Sequence, residues 1–203
     1  MNLKIKEIID SFSVENISEE RKEVLSLLTE FISSKIKSDE KINLNFICTH
    51  NSRRSHLSQI WAQTMAEYFG VKEVFCYSGG TEETSIFPKV LETLKNQGFE
   101  IEQLSENENS VYAVKFDQNS YPVICFSKNY DSTFNPTSNF ASIMTCSNAE
   151  KGCPFIPGAE KIIAIKYNDP KISDGTPEMD QIYAERSLEI AQEMFYAFST
   201  LKI

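Results

Sequence analysis

The sequence predicts an α/β fold with a mainly parallel central sheet and helices packed on it. Short apolar runs typical of strands alternate with longer segments whose apolar residues repeat at helical spacing. Strands joined through helices form right-handed crossovers, which make neighbouring strands parallel. The length of 203 residues fits one such domain with an appendage, and no internal repeat or low-complexity segment interrupts the pattern.

The chain starts with two predicted helices, over about 3–11 and over 19–36. Ser18 is a candidate N-cap of the second helix, and two glutamates in its first turn are favoured by the helix dipole. Apolar residues then recur at i, i+3, i+4 and i+7, which predicts a buried stripe of Val24, Leu27, Leu28 and Phe31. We expect residues 1–41 to form an N-terminal helical extension and residues 42–203 to form the main domain.

Strands and helices alternate in the next part of the chain. Residues 42–48, "INLNFIC", predict a strand, and residues 55–69 predict a helix with one apolar face. Gly70 is a plausible end of this helix, because glycine tolerates the left-handed conformation that follows a helix. A strand over 73–78 and a helix over 87–98 follow.

The later part of the chain adds more strands and a final helix. Residues 110–117 and 121–128 predict two strands around a short turn, which indicates a β-hairpin. Apolar runs predict buried strands over 140–146 and 160–167, and a long helix from about residue 178.

Composition excludes several classes of protein. With 20 basic and 29 acidic residues the net charge is −9, and nucleic acid is not an expected partner because phosphate backbones need a basic surface. No apolar run reaches about 18 residues, so no membrane span is expected. The N-terminal residues lack the apolar core and cleavage site of a signal peptide, and we expect a cytoplasmic protein.

Residues 45–56, "NFICTHNSRRSH", give the strongest functional signal, because they hold both histidines and two of the four arginines. They join a predicted strand to a predicted helix, where α/β sheets bind ligands and backbone N–H groups bind anions. Arg54 can grip two oxygens of a tetrahedral oxyanion. Cys48 is favoured as a thiolate nucleophile, to which Ser55 can donate a hydrogen bond. The alternative is a buried cysteine followed by a solvated basic turn.

The other four cysteines divide into two pairs. Cys76 and Cys125 lie within apolar runs and are expected to pack in the core. Cys146 and Cys153 flank a polar segment of six residues. In a cytosolic chain such thiols are more often buried, catalytic or metal-binding than part of a disulfide framework.

Four motifs resemble, in order, those of the low-molecular-weight protein tyrosine phosphatases and thioredoxin-coupled arsenate reductases. "CTHNSRRS" resembles their phosphate-binding loop, and "YSGGTEETSIFPKVLETLKNQGFEI" resembles their second strand and following helix. "MTCSNAEKGCPFIP" resembles the redox-cysteine segment of the reductases, and "KYNDP" resembles the general-acid loop. The resemblance covers about 42–104 and 140–201. It implies a three-layer fold with a four-stranded, mainly parallel sheet between helices, and it places the predicted hairpin in an insertion at about 105–139.

The resemblance also implies a role for each matched residue. Cys48 is the nucleophile, and Arg54 and the backbone amides bind the oxyanion. Asn51 shapes the loop through backbone hydrogen bonds, and Ser55 assists the thiolate. Asp169 is the general acid that protonates the leaving group. The expected substrate-binding residues are those of the loop, Thr49, His50, Asn51, Ser52, Arg53, Arg54 and Ser55.

Three positions depart from the family. His50 stands where the family usually has glycine, which predicts either backbone strain or a side chain at the pocket mouth. Arg53 stands where the phosphatases often have a second cysteine. Lys171 follows Asp-Pro, where the phosphatases often have an aromatic residue.

The two enzyme types begin alike and then differ. A phosphatase hydrolyses its cysteinyl phosphate with water, whereas a reductase takes two electrons from thiols. In a reductase Cys146 would attack the adduct on Cys48, and Cys153 would then attack Cys146 and expose the disulfide to thioredoxin. Two alternatives for the Cys146–Cys153 pair are a zinc site, which needs about four ligands, and two unrelated core thiols.

These observations favour a thioredoxin-coupled arsenate reductase with no bound cofactor or metal. The runner-up is a low-molecular-weight phosphatase acting on phosphate esters such as phosphotyrosine. The expected partners are a small oxyanion, arsenate or phosphate, or a phosphotyrosine substrate, together with thioredoxin or a similar dithiol. A binding module that only senses phosphate is the non-enzymatic alternative, and the complete Cys, Arg and Asp set argues against it.

Overall fold

The computed structural model of the chain describes residues 1–146 and 155–201. The helices in these ranges are α1 (Leu3–Asp10), α2 (Glu19–Lys37), α3 (Arg54–Tyr68), α4 (Pro88–Asn96) and α5 (Met179–Ser199). The strands are β1 (Ile42–Cys48), β2 (Val74–Gly80), β3 (Glu100–Gln103), β4 (Tyr112–Lys115), β5 (Val123–Cys125), β6 (Phe140–Met144) and β7 (Ala159–Ala164). None of these helices is long and apolar enough to cross a membrane.

The central sheet has four parallel strands in the order β2-β1-β6-β7. Strand β1 lies inside the sheet, with Cys48 opposite Gly80 of β2 and Ile47 opposite Met144 of β6. Successive side chains of a strand point to opposite faces. Phe46 is therefore buried in the main core with the helices, and Ile47 is buried in a smaller cluster on the other face. The predicted fold, a parallel four-stranded sheet flanked by helices, is confirmed.

Helix α3 connects the end of β1 to the body of the core. It packs against β1, β2 and α5, and most of its residues are buried. Trp61 is fully buried and donates from Nε1 to Ser187 Oγ of α5, at 2.9 Å. Gly70 follows the helix with a φ of 66°, as predicted for a helix end. Because α3 is fixed along its length, its first residue is held at the carboxyl end of β1.

The predicted hairpin is present and belongs to a three-stranded antiparallel sheet in the order β3-β4-β5. Strand β3 was not expected from the sequence pattern. After β5 the chain returns to the central sheet, where Gly80 N donates to Lys128 O and Tyr130 N donates to Gly80 O, both at 2.9 Å. The segment from 105 to 139 therefore contacts the same end of the sheet as Cys48.

The N-terminal helices pack against the main core. Ile5 and Ile9 of α1 are fully buried, and Ser18 caps α2 by accepting from Arg21 N at 3.2 Å, as predicted. The predicted stripe of α2 is only partly correct, because Leu27 is 38% exposed. Helix α2 contacts both α5 and β7, so its buried face is turned toward Leu25, Leu28, Phe31, Ile32 and Lys35. The division of the chain at residue 41 into two units stays a prediction.

Candidate active site

The loop between β1 and α3 is held in place by its carbonyl groups. The carbonyl of Thr49 accepts from Glu82 N at 2.8 Å, and the carbonyl of His50 accepts from Ser127 Oγ at 3.1 Å. Among the described residues, no hydrogen bond uses the backbone N–H groups of residues 49–54. These donors lie at the start of a helix, which is the arrangement that binds anions.

Gly80 allows β2 to pass close to this loop. A β-carbon on Gly80 would lie 2.7 Å from both Asn51 N and Thr49 O, closer than such atoms can approach. The glycine at the end of the second strand is therefore required by the packing of strand and loop.

Asn51 joins the loop to α3 and to the insertion. Its φ of 43° lies in the left-handed region, which asparagine adopts more readily than most residues. Its side chain donates from Nδ2 to Ser55 Oγ at 2.8 Å and accepts at Oδ1 from Lys128 N at 2.9 Å. Asn51 therefore links the loop to the start of α3 and to Lys128.

Cys48 lies at the end of β1 with its sulfur beside Ser55. The residue is 4% exposed, and its Sγ is 3.1 Å from Ser55 Oγ. Because Ser55 Oγ already accepts a hydrogen bond from Asn51, its own hydroxyl hydrogen is free to point to the sulfur. Cys48 therefore has a hydroxyl donor at its sulfur and the N-terminus of a helix beside it.

Arg54 and Asp169 are 115 positions apart in the chain and form an ion pair. Arg54 also donates from Nη1 to Tyr167 O at 3.0 Å, and its Nε is buried without an acceptor in the described residues. The Asp169 side chain is 40% exposed and accepts from Lys171 N at 3.1 Å, at the start of a short 3-10 turn. The predicted oxyanion-binding arginine and the predicted general acid therefore share one site.

The other loop residues lie in different surroundings. Ser52 is 7% exposed, and its carbonyl accepts from Phe87 N at 3.1 Å. His50 does not have a positive φ, so it requires no left-handed strain. Its half-exposed ring has Nδ1 3.0 Å from Glu82 Oε2, which places it at the mouth of the loop. The Arg53 side chain forms an ion pair with Asp174. Of the groups of Arg53, only the backbone N–H therefore remains for the predicted contact with substrate.

Cys146 lies just after β6, next to the loop. Its Sγ is 3.5 Å from Thr49 Oγ1, and it belongs to the same buried cluster as Cys48. Cys153 lies outside the described residues, so the predicted Cys146–Cys153 pair is not tested. Within residues 1–146 and 155–201, no group of three or more His, Cys, Asp or Glu side chains could hold a metal ion.

Two buried residues beside the loop were missed by the sequence analysis. Lys128 is 1% exposed, and its Nζ lies 4.3 Å from the centre of the Phe126 ring. Burial lowers the pKa of Lys128 to about 8. His56 donates from Nε2 to Asn51 O at 2.9 Å, and burial lowers its pKa to about 3, so it is neutral. The position of Lys128 was not visible locally, because its contact with Asn51 joins segments 77 residues apart.

Comparison with known proteins agrees with this geometry. Residues 43–128 match the family described as low molecular weight phosphotyrosine protein phosphatase. An arsenate reductase 2 of Staphylococcus epidermidis is 29% identical over 131 residues, which are 64% of this chain and 80% of the relative. An arsenate reductase of Staphylococcus aureus is 28% identical over 156 residues, or 76% of this chain and 96% of the relative. The family resemblance seen in the motifs is confirmed.

Solved structures show the same fold at low sequence identity. A low molecular weight protein tyrosine phosphatase from T. tengcongensis has a TM-score of 0.54 at 14% identity, covering 79% of this chain and all (100%) of that one. A YwlE mutant from Bacillus subtilis has a TM-score of 0.52 at 15% identity, covering 80% and 100%. These matches show the fold, and the family match and the sequence relatives support an enzyme of the phosphatase or the arsenate reductase kind.

Proposed function

We propose that the chain is an arsenate reductase that uses Cys48 as nucleophile and Cys146 and Cys153 as its redox pair. The observation that favours this function is the position of Cys146, whose sulfur is 3.5 Å from Thr49 Oγ1 in the same buried cluster as Cys48. Phosphate ester hydrolysis has no use for a second thiol there. Reduction needs one.

The first step places a tetrahedral oxyanion in the loop. Arg54 and the N–H groups of residues 49–54 bind its oxygens, and the Cys48 thiolate attacks the arsenic atom. The bond from arsenic to the opposite oxygen breaks, and Asp169 supplies the proton with which that oxygen leaves as water. The product is an arsenic(V) adduct on Cys48.

The second step transfers the electrons. The Cys146 thiolate attacks Cys48 Sγ, which forms a Cys48–Cys146 disulfide and breaks the sulfur–arsenic bond. The bonding electron pair stays on arsenic, which leaves as arsenite in the +3 state. Two thiols thereby supply the two electrons that the reduction requires.

The third step restores Cys48. The Cys153 thiolate attacks Cys146, which releases the Cys48 thiolate and leaves a Cys146–Cys153 disulfide. A dithiol protein such as thioredoxin then takes over this disulfide and becomes oxidised itself. The same dithiol is the only partner, besides the oxyanion, that the cycle needs.

Phosphate ester hydrolysis is the second candidate, because the family model matches residues 43–128 and the loop suits both reactions. Cys48 would attack phosphorus, and Asp169 would protonate the departing oxygen of the alcohol or phenol. Water would then hydrolyse the cysteinyl phosphate to phosphate and free Cys48. Neither Cys146 nor Cys153 takes part.

Turnover of the purified protein separates the two functions. We expect arsenate to cause oxidation of NADPH in the presence of thioredoxin and thioredoxin reductase, and Cys146→Ser to abolish it. Hydrolysis of an aryl phosphate, where it occurs, should survive in Cys146→Ser because it uses water. A protein that hydrolyses aryl phosphates over many turnovers but never oxidises NADPH with arsenate would be the phosphatase.

A further inference from the structure

Arg53 lies next to Arg54 in the chain, but its side chain points to a different part of the molecule. Its Nε donates to Tyr183 Oη and its Nη2 donates to Asp174 Oδ2, both at 2.6 Å. The guanidinium also stacks on the Phe87 ring, 4.0 Å from its centre. Tyr183 Oη donates in turn to Asp174 Oδ1 at 2.6 Å, so the three polar groups form a closed network.

Asp174 ends the segment that Asp169 begins. The two residues flank the 3-10 turn Pro170–Ser173, Asp169 as its N-cap and Asp174 as its C-cap. Arg54 pairs with the first carboxylate and Arg53 with the second. Two consecutive arginines of the anion-binding loop therefore hold both ends of the general-acid segment.

The two ion pairs differ in whether a bound substrate would have to break them. Asp169 is 40% exposed and has to leave Arg54 when an oxyanion takes its place, whereas Asp174 is only 25% exposed and Arg53 11%. A planar guanidinium bound by a carboxylate, a phenol and an aromatic face has little freedom to move. The end of the segment at Asp174 thus stays fixed while the end at Asp169 is released.

We propose that Arg53 is a positioning residue that holds the general-acid segment in register with the anion-binding loop, through Asp174 and Tyr183. It fixes where the Asp169 carboxyl lies after substrate displaces it from Arg54. Arg53 itself makes no side-chain contact with substrate. This inference rests on the proposed role of Asp169 as general acid.

Leaving-group dependence tests the inference. A misplaced acid slows the departure of a basic leaving group, such as phenolate from phenyl phosphate, but hardly affects dinitrophenolate, which leaves without a proton. We therefore measure the first release of phenol or dinitrophenol, one equivalent per Cys48, with both aryl phosphates. In Arg53→Gln the rate with phenyl phosphate should fall about 10- to 100-fold, and the rate with dinitrophenyl phosphate less than about threefold.

Two further variants show whether a lower rate in Arg53→Gln reflects a general loss of structure. Tyr183→Phe removes only one hydroxyl and should show a smaller loss with the same selectivity. Lys89→Gln removes a cation that pairs with Asp180 and Glu92, each at 2.7 Å, and does not touch the segment, so it should leave both rates unchanged. Equal losses on both substrates in Arg53→Gln and Tyr183→Phe, or a rise in KM alone, would overturn the positioning role.

Asp169→Asn distinguishes a failure of this inference from a failure of the proposed function. If Asp169→Asn is strongly selective for phenyl phosphate and Arg53→Gln is not, only the role of Arg53 fails. If Asp169→Asn shows no leaving-group selectivity, Asp169 is not the acid, and both the mechanism and the inference fail.

Discussion

The two thiols at the carboxyl end of the central sheet and the two core thiols, Cys76 in β2 and Cys125 in β5, are similarly buried but differ in their surroundings. Cys48 and Cys146 are 4% and 3% exposed, and Cys76 and Cys125 are 7% and 0% exposed. Cys48 has a serine hydroxyl at 3.1 Å and a helix N-terminus beside it. Desolvation raises the pKa of Cys125 to about 12, although nearby Lys128 acts in the opposite direction, and it raises the pKa of Cys76 further.

Hydrogen-bond donors, and not exposure, therefore distinguish Cys48 from the two core thiols. A thiolate buried among apolar side chains lacks any group that could replace water. At the loop, by contrast, the Ser55 hydroxyl can donate to the Cys48 sulfur at 3.1 Å.

Substituting one cysteine from each region should give the largest contrast. Cys48→Ser should lower both arsenate reduction and any aryl phosphate hydrolysis by at least about 10⁴-fold, as loss of a nucleophile does. Cys125→Ala should stay within about threefold of the parent and lose only about 1 kcal/mol of unfolding free energy. Steady-state rates and urea unfolding measure the two effects. A Cys125 variant as inactive as the Cys48 variant would contradict the division into reactive and inert thiols.

Removing the acid should have the next largest effect. Asp169→Asn should slow formation of the Cys48 adduct by about 10²–10⁴-fold, the usual contribution of a positioned general acid. Substrate affinity should not fall, because Asp169 acts on the leaving group and competes with the oxyanion for Arg54. Single-turnover rates over a range of substrate concentrations separate the two quantities. Parent-like adduct formation in this variant would remove Asp169 from the reaction.

Removing the hydroxyl beside Cys48 tests the donors directly. Ser55→Ala should slow adduct formation by about 10- to 100-fold, because a hydrogen bond to a charged group is worth about 1.5–3 kcal/mol. Ser58 is the matched control, since it lies on the same helix and its buried Oγ has no partner in the described residues. Ser58→Ala should react at the parent rate, and equal losses in the two variants would show that the hydroxyl of Ser55 has no special role.

His56 is a second buried titratable side chain whose pKa is set by burial. Burial lowers the pKa of His56 to about 3, whereas an unfolded histidine titrates near 6.5, so below that pH only the unfolded state takes up the proton. The free energy of unfolding should therefore fall as the pH drops from about 6.5 toward 3, by about 2 kcal/mol at pH 5 from this group. Urea unfolding at pH 7 and pH 5 measures it. His56→Gln should flatten the dependence, and an unchanged slope would show that another group causes it.

The sequence predicted the parts of the site that are local in the chain. Cys48, Arg54 and Ser55 lie on one strand–loop–helix unit, so periodicity and loop chemistry place them together. Asp169 and Cys146 needed the family resemblance, because only the parallel order of β1, β6 and β7 brings their segments to the loop.

Contacts between residues far apart in the chain could not be predicted from the sequence. Arg53 seemed part of the oxyanion site because of its position, but its partners Asp174 and Tyr183 are 121 and 130 residues away. Lys128 had no local signal either, since its link to Asn51 spans 77 residues. The error at Leu27 has the same cause, because a helix that packs on two elements buries a different stripe from one that packs on a single neighbour.

The central claim, that Cys146 is the thiol that reduces the adduct on Cys48, is tested most directly in a variant that cannot finish the cycle. Cys153→Ser should react with one equivalent of arsenate, release arsenite once and stop. Intact mass should then fall by about two hydrogens, and peptide mapping should place the new disulfide between Cys48 and Cys146. A variant that keeps its full mass after arsenate, or that forms its disulfide between other cysteines, would contradict the reductase mechanism.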